Sequence, residues 1–494
     1  MYAVQLAIVV TRETKASGAG TLEEKTMSIN SFDNYQLTWR PDKRALKRPV
    51  YVALVTAMKD AIEKGELLPG TKLPPQRELA DFLDVNLSTI TKAYKLSEER
   101  GLTFGVVGKG TFVAQNATES IIIAKTASAD VIDLGLVSAF DACNKMMVPV
   151  IQAVAGQSNL PELLNYDAPT GLPAHKRAGR MYLERFGITD VKDENMAIVS
   201  GGQNAVTVTL LGLFRPGDRI AVDFFTYANF IEIAKMARLK LVPILGDDEG
   251  MLADDLAAAA SQGLAGVYLM PEGANPTGVR ISGARREALA QVVRDNNLIL
   301  IEDDYEGFLK LGLTPLPKMY TLAPEHCVYL CSMTKPLAVG LRIAYIVFAP
   351  QYRSQLMDAL MNINMKTSAI DSEFVARAII DGTAQRISQA KINLVEQSNA
   401  AFDEIFPEPE ASAVDNRQLF RWVEIHDTGM TGREVEQHGL NNGLRFYHSD
   451  RFLVGAESAK KYIRVSLSSA STMNELTTGL TRLRQLLIAG GYYG

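Results

Sequence analysis

The sequence predicts an α/β protein with a small helical module in front of it, on three observations. From residue 131 to the end, short continuous apolar runs alternate with amphipathic stretches, the pattern of a largely parallel sheet covered on both faces. Residues 45–115 give a different text, three short helical patterns followed by a two-strand hairpin pattern. Between the two, residues 116–130 are rich in Ala, Thr and Ser without a clear period and read as a linker.

The bulk properties bound the classes of function. A chain of 494 residues suggests about three domains and rules out one small module. With 47% hydrophobic and 22% charged residues it is too apolar for disorder and too evenly charged for a membrane protein. Three cysteines, Cys143, Cys327 and Cys331, exclude a disulfide framework and fit a reducing compartment, and no zinc-ligand spacing is present, so no metal site is expected. The apolar run at residues 1–10 is about half of a spanning helix and lacks a basic segment before it, which reads as neither a membrane span nor a signal peptide. A cytoplasmic protein is expected. Residues 1–44 show no sustained period and read as a flexible tail. The net charge of −5 argues against a wholly basic nucleic-acid binder, but residues 41–113 carry a positive excess of three, so a mildly basic module is attached to an acidic body.

The module's elements follow in order. Val50, Val52, Leu54, Val55, Met58 and Ile62 recur at helical spacing and stop at Gly65. A second helix is expected to start at Pro74-Pro75, residues suited to a first turn, with Leu79, Ala80 and Leu83 on one face. A third follows Asp84-Val85-Asn86, with Ser88 as the expected cap, Ile90, Ala93, Tyr94 and Leu96 inward, and Thr89, Thr91, Lys92 and Lys95 outward until Gly101 ends it. Two short helices joined by a tight turn, the second bearing small polar and basic residues outward, form a helix-turn-helix. Leu102-Thr103-Phe104, the glycine turn at Gly108-Lys109-Gly110, and Thr111-Phe112-Val113 add a hairpin with a basic tip suited to lying along phosphates.

This winged helix-turn-helix resembles the GntR family of bacterial DNA-binding domains in Leu73-Pro74, in Arg77-Glu78-Leu79-Ala80, in Ser88, Thr91, Ala93 and Tyr94, and in Gly108-x-Gly110-Thr111-Phe112-Val113. The resemblance implies that Arg77 contacts a base edge, with Ser88, Thr91, Lys92 and Lys109 on phosphates.

In the body, strands are expected at 196–199, 219–222, 239–244, 266–270, 298–301, 328–330 and 343–348, and polar clusters follow several of them. Active-site groups of such folds lie at the carboxyl ends of strands. Cys331-Ser332-Met333-Thr334-Lys335 supplies a lysine able to condense with an aldehyde, with Ser332 and Arg342 suited to a phosphate dianion. Glu302-Asp303-Asp304-Tyr305 supplies a carboxylate able to keep a pyridine nitrogen protonated and a phenol able to bond a ring oxygen. Asn275-Pro276-Thr277-Gly278 offers a side-chain amide for the same oxygen. Ser200-Gly201-Gly202-Gln203-Asn204 opens a helix whose backbone N–H groups suit a phosphate, without the spacing of a dinucleotide fingerprint. Asp223-x-x-Thr226-Tyr227 puts an aromatic face at a strand end.

In this order, together with Tyr166-Asp167-x-Pro169-x-Gly171 and Arg464-Val465-Ser466, the clusters resemble the fold-type I aminotransferases of pyridoxal 5′-phosphate across residues 131–494. With the module in front, the whole resembles the MocR subfamily of transcription regulators. The resemblance implies a winged helix-turn-helix joined to a fold-type I transferase-like domain with a mostly parallel sheet and a smaller C-terminal α+β subdomain. It implies that Lys335 is the Schiff-base lysine, Asp303 the partner of the pyridine nitrogen, and Tyr305 and Asn275 partners of the ring oxygen. Gly202, Gln203, Ser332 and Arg342 then hold the phosphate, Tyr227 stacks on the ring, and Arg464 clamps an amino-acid carboxylate. Tyr166 matches the tyrosine that reaches the phosphate from a neighbouring subunit, which implies a homodimer with shared sites. Thr334, where a serine commonly stands, and Val339-Gly340, where Pro-Gly is usual, depart from the pattern. The function implied is regulation of a double-stranded DNA operator by an amino acid or amine that forms an external aldimine in place of Lys335. The alternative is an aminotransferase with an accessory DNA-binding domain, which the Asn275-Pro276-Thr277-Gly278 form of that motif keeps open.

Overall fold

The computed structural model describes residues 37–64, 66–68, 70–106, 108–114, 130–166, 168–407, 417–455 and 458–493. The expected linker at 116–130 lies outside the described residues except for Asp130, as do residues 1–36 of the expected tail and Gly65.

Helix α1 (Val50–Glu63) turns Leu54, Val55, Met58 and Ile62 inward at the predicted spacing. Helix α2 (Gln76–Leu83) starts two residues later than expected, with Pro75 at its N-cap rather than in the first turn. Helix α3 (Leu87–Glu99) also differs at its start. Asn86 occupies the N-cap with no side-chain cap bond, so Ser88 lies inside the first turn and is not the cap. Tyr94 secures α3 against the chain before α2 by donating to the Pro74 carbonyl at 2.6 Å. Strands β1 (Thr103–Val106) and β2 (Gly110–Val113) pair antiparallel with Phe104 opposite Phe112, their rings stacked at 5.8 Å. The tail expected over 1–44 ends earlier than expected. Trp39 is 7% exposed in the core shared by these helices, a long-range packing that no local period announces.

All seven expected body strands form, and they make one sheet. The order across it is Met196–Val199, Ala344–Phe348, Cys327–Ser332, Ile299–Asp304, Gly266–Leu269, Arg219–Asp223 and Lys240–Ile244. Every neighbouring pair is parallel except those of Ala344–Phe348, which is antiparallel on both sides. Both faces are buried: Met196 and Ile198 enter one apolar core and Ala197 and Val199 the other, as a two-residue side-chain period requires. The Ile299–Asp304 strand runs three residues further than expected, because Glu302, Asp303 and Asp304 keep their ladder partners on the neighbouring strand.

The smaller subdomain is an antiparallel sheet with Lys461–Ser466 between Phe420–Ile425 and Tyr447–His448. The helix Met473–Ala489 covers it, its Leu476, Leu480, Leu483 and Leu487 packing with Ile463 and Val465. Ile132–Asp133 pairs with Leu444–Arg445, so the chain enters the body through this subdomain. Among the described residues no helix is long and apolar enough to cross a membrane.

Candidate functional site

A cleft opens at the carboxyl edge of the parallel strands. Of the body residues to which the resemblance gives a role, all line it except Tyr166. Sheet topology explains the convergence. Ser332 ends one central strand, Asp303 lies near the end of the next, and Arg342 precedes the antiparallel strand whose Ala344 pairs with Ser332.

One end of the cleft is a cup. The helix Gly202–Leu213 begins there, and the first N–H groups of a helix have no intrahelical partner and point at whatever lies beyond. Gly201 has φ 86°, a region that suits glycine, and a Cβ there would meet the Arg342 guanidinium at 3.0 Å. A Cβ on Gly202 would sit 3.3 Å from Ser332 Oγ. Backbone, hydroxyl and guanidinium thus close on one small volume, and Thr334 supplies a further hydroxyl 2.8 Å from Ser332 Oγ. The serine-to-threonine departure at 334 leaves the hydroxyl in place.

At the other side Lys335 donates to the Val137 carbonyl. Burial first, and the charges of Arg464 and Lys391 next, lower its ammonium to about 7. Sequence reading missed Lys391, which is 1% exposed on the long helix Thr383–Ile405 and donates to the carbonyls of Lys335 at 2.7 Å and Leu337 at 2.8 Å. It fixes the backbone that carries Lys335.

Asp303 is 7% exposed, and burial raises its carboxyl to about 7 against the hydrogen bond of Tyr268, which lowers it. That hydroxyl donates to Asp303 Oδ2 at 2.7 Å, and the Tyr268 ring stacks on Phe230 at 3.8 Å. Tyr268 lies inside an apolar strand run, where the sequence offered no sign of it except its hydroxyl. Asp304 does not join the cleft. It accepts from Lys318 at 2.6 Å and from the Gly307 N–H at 2.7 Å.

Arg464 is 1% exposed on the C-terminal sheet, over the rings of Phe420, Tyr447 and Phe452. Its Nη1 donates to Asn275 Oδ1 at 2.8 Å and its Nη2 to the Gly135 carbonyl at 2.7 Å, while Nε has no hydrogen-bond partner among the described residues. Because a guanidinium only donates, the Asn275 amide oxygen is committed to it and the amide NH₂ is left for the cleft. Tyr305 donates to the Gly273 carbonyl at 2.8 Å. Burial raises the Tyr227 phenol to about 12, so it stays a neutral ring wall. Tyr166 is 82% exposed and does not reach the cleft of its own chain; Asp167 lies outside the described residues.

In the module, Arg77, Ser88, Thr91, Lys92 and Lys109 are all exposed. Arg77 sits in the first turn of α2, the next three in the first turns of α3, and Lys109 at the hairpin tip between Gly108 and Gly110, both at positive φ. Thr91 also donates to Gln76 at 2.8 Å, linking α3 to α2.

The fold and cleft define a fold-type I pyridoxal-phosphate body carrying a winged helix. Residues 130–483 match the family Aminotransferase class I and II, and residues 50–113 match Bacterial regulatory proteins, gntR family. A relative from Bacillus subtilis, the uncharacterized HTH-type transcriptional regulator YdeF, is 33% identical over 463 residues, 93% of this chain and 99% of that protein. The vitamin B6 salvage pathway transcriptional repressor PtsJ of Salmonella typhimurium is 28% identical over 291 residues, 59% of this chain and 65% of that protein. Among solved structures, a Pyrococcus horikoshii kynurenine aminotransferase superposes with a TM-score of 0.67 at 20% identity, covering 74% of this chain and 92% of that one. The chain belongs to the GntR-type regulators with an aminotransferase class I and II domain, the MocR arrangement, and its cofactor is pyridoxal 5′-phosphate. The cleft suits that group: a glycine cup with a guanidinium at one end, a lysine of lowered basicity, and a buried carboxylate that a cationic ring would keep ionised.

Proposed function

We propose that this chain is a DNA-binding transcription regulator whose affinity for a double-stranded operator is set by an amino acid or amine at Lys335. When bound, pyridoxal phosphate supplies an aldehyde carbon that condenses reversibly with primary amines. The chain's residues divide the rest of the work. Lys335, lowered to about 7, presents an uncharged amine in a large fraction of molecules near neutral pH and accepts or returns a proton as amines exchange. Asp303, held by Tyr268, would be the anion that pairs with the ring nitrogen. Ser332, Arg342 and the N–H groups of Gly202 and Gln203 orient the phosphate, and Tyr227 lies against the ring. The Asn275 amide NH₂ would hold the ring oxygen, joined by the Tyr305 hydroxyl on turning from the Gly273 carbonyl. Arg464 receives the carboxylate of an amino acid, which makes α-amino acids the favoured effectors.

Regulation requires the effector to bind two states of the protein differently, and about 1–3 kcal/mol of coupling is enough. The proposal includes a cytoplasmic homodimer in which Tyr166 of each chain completes its neighbour's cup, presenting two winged helices to two half-sites. The observation that carries the reading is the pairing within one chain of an exposed face bearing Arg77, Ser88, Thr91, Lys92 and Lys109 with a cleft lined by Lys335, Asp303 and Arg464. The presence of Lys335, Asp303 and Arg464 in one cleft also favours a second reading, sustained transamination; a 2-aminoadipate transaminase of Thermus thermophilus is 23% identical over 305 residues, 60% of this chain and 76% of that protein. One experiment separates them. Operator affinity of the cofactor-loaded protein is measured by fluorescence anisotropy with a panel of amino acids, alongside product formation with 2-oxo acids. A change of about 5- to 150-fold in affinity that Lys335→Ala removes supports the regulator. Operator affinity indifferent to every amine, with product accumulating, supports the enzyme.

A further inference from the structure

The helices and wing of the module are, taken together, electrically neutral. Residues 49–113 hold eight Lys and Arg against eight Asp and Glu, so carboxylates balance the cations of the recognition face. The whole positive excess of residues 41–113 comes from residues 42–48, where Lys43, Arg44, Lys47 and Arg48 stand with Asp42 as the one carboxylate. Arg40 lies just ahead of them. Affinity for duplex DNA comes largely from cations placed on phosphates, and here the unbalanced cations precede α1.

This segment is tied to the module at several points. Trp39 enters the core shared by the three helices, and Pro41 is buried beside it in the chain. Thr38 Oγ1 donates to the Lys72 carbonyl at 2.5 Å, and Lys72 forms a bridge to Phe112 of the wing strand β2. Asp42 accepts from the Arg44 N–H at 2.9 Å and caps a single turn at Lys43–Ala45. Lys43 pairs with Asp84 at 3.1 Å, in the turn that leads from α2 into α3. The segment is therefore pinned both to the wing sheet and to the turn from which α3 starts, the two elements that flank the recognition face. Arg44, Lys47 and Arg48 are exposed and make no ion pair or side-chain hydrogen bond among the described residues. Three cations within five residues repel one another, and a polyanion relieves that repulsion.

We propose that residues 40–48 form a basic arm that contacts the phosphate backbone of duplex DNA beside the site read by α3. The inference rests on the reading of this chain as a DNA-binding protein and adds a contact outside its helix-turn-helix and wing. Arg44, Lys47 and Arg48 supply the charge. Lys43 has a different part: its exposed pair with Asp84 contributes little to stability, but it cancels a carboxylate at the start of α3 that would repel phosphates. Phosphate contacts fix position and carry no sequence information. The arm thus strengthens binding to operator and to unrelated DNA alike, and leaves discrimination to Arg77 and α3.

The test is fluorescence anisotropy of full-length, cofactor-loaded protein on a fluorescein-labelled, mixed-sequence duplex of about 40 base pairs, long enough for two half-sites, at several salt concentrations. Each phosphate contact contributes about 0.9 to the slope of log affinity against log salt. Arg44→Gln with Lys47→Gln and Arg48→Gln should therefore lower the slope by about 3 and weaken binding on the order of 100-fold at about 0.15 M salt. Arg44→Gln alone should lower it by about 1, which keeps the test decisive if the triple variant is destabilised. Lys59→Gln with Lys64→Gln removes two exposed cations from the far end of α1 and should change the slope far less. A loss per charge as large in that control as in the arm variants would mean that only total charge matters, and overturns the arm. An unchanged slope in the arm variants, with the unaltered protein binding the duplex, overturns the arm alone. No saturable binding by the unaltered protein at any salt concentration overturns the DNA-binding reading, and the arm with it.

Discussion

Arg464 Nη1 donates to Asn275 Oδ1 at 2.8 Å, joining the C-terminal sheet to the loop after the Gly266–Leu269 strand. One contact therefore aims two groups, turning the amide NH₂ toward the ring side of the cleft and fixing the guanidinium where a carboxylate would arrive. Lysine at 464 keeps a charge but loses the fork. Arg464→Lys is expected to weaken amino-acid binding by about 10- to 100-fold while pyridoxal phosphate affinity changes far less. Spectral titration of the loaded protein with amino acids measures it; an unchanged amino-acid affinity would remove Arg464 from the carboxylate site.

The buried Asp303 carboxyl makes stability and cofactor affinity oppose each other. Its folded value of about 7 lies above the usual 3.8, so between those values the folded, cofactor-free chain holds a proton that the unfolded chain has released. The group's contribution is thus fully present below about pH 4 and is lost as pH rises through about 7. Asp303→Asn should leave the cofactor-free melting temperature unchanged near pH 4 and raise it at about pH 8, while cofactor affinity falls. Tyr268→Phe, which removes the bond that lowers Asp303, should leave that carboxyl harder to ionise and weaken cofactor binding by about tenfold. Melting curves at the two pH values decide the matter: equal shifts at both would mean that the Asp303 charge is not what burial penalises.

Lys391 has two effects on Lys335 that substitutions can separate. Its ammonium bonds the carbonyls of Lys335 and Leu337, and its charge helps to lower the Lys335 ammonium. The rate at which cofactor-free protein captures pyridoxal phosphate should rise with pH through about 7, as Lys335 loses its proton. Lys391→Met should move that rise to higher pH, since a positive neighbour is gone, and leave two carbonyls unpaired at a cost of about 1–3 kcal/mol. Lys391→Arg should keep the midpoint. A Lys391→Met midpoint identical to that of the unaltered protein would confine Lys391 to a structural role.

What was legible in the sequence was local. The seven apolar runs fixed the strands because buried parallel strands need little else, and the polar clusters after them fell at the cleft because strand ends converge there. Tyr268 and Lys391 were not legible, for opposite reasons. A tyrosine within an apolar run looks like core, and a lysine in a long amphipathic helix looks like solvated surface; only contacts 35 and 56 residues away give them their roles. Trp39 escaped in the same way, a single aromatic with no periodic company until α1 packs on it. At Ser88 the local rule itself chose the wrong residue. A serine is a strong cap, but the helix starts two residues earlier than a cap at Ser88 implies, on Leu87, with Asn86 at the N-cap.

The exposed residues of the module separate base reading from backbone reading. Arg77 is expected to bond a base edge, so Arg77→Ala should cost about 1–3 kcal/mol on the operator and relax its sequence preference. Lys109, at a hairpin tip between two glycines, is expected to contact phosphates. Lys109→Ala should weaken specific and nonspecific DNA about equally and reduce the slope of log affinity against log salt by about 1. Anisotropy titrations on operator and scrambled duplexes at several salt concentrations measure both. If Arg77→Ala weakens the two duplexes alike, the arginine is a phosphate contact, and specificity must come from the outward face of α3, where Thr91 and Lys92 stand.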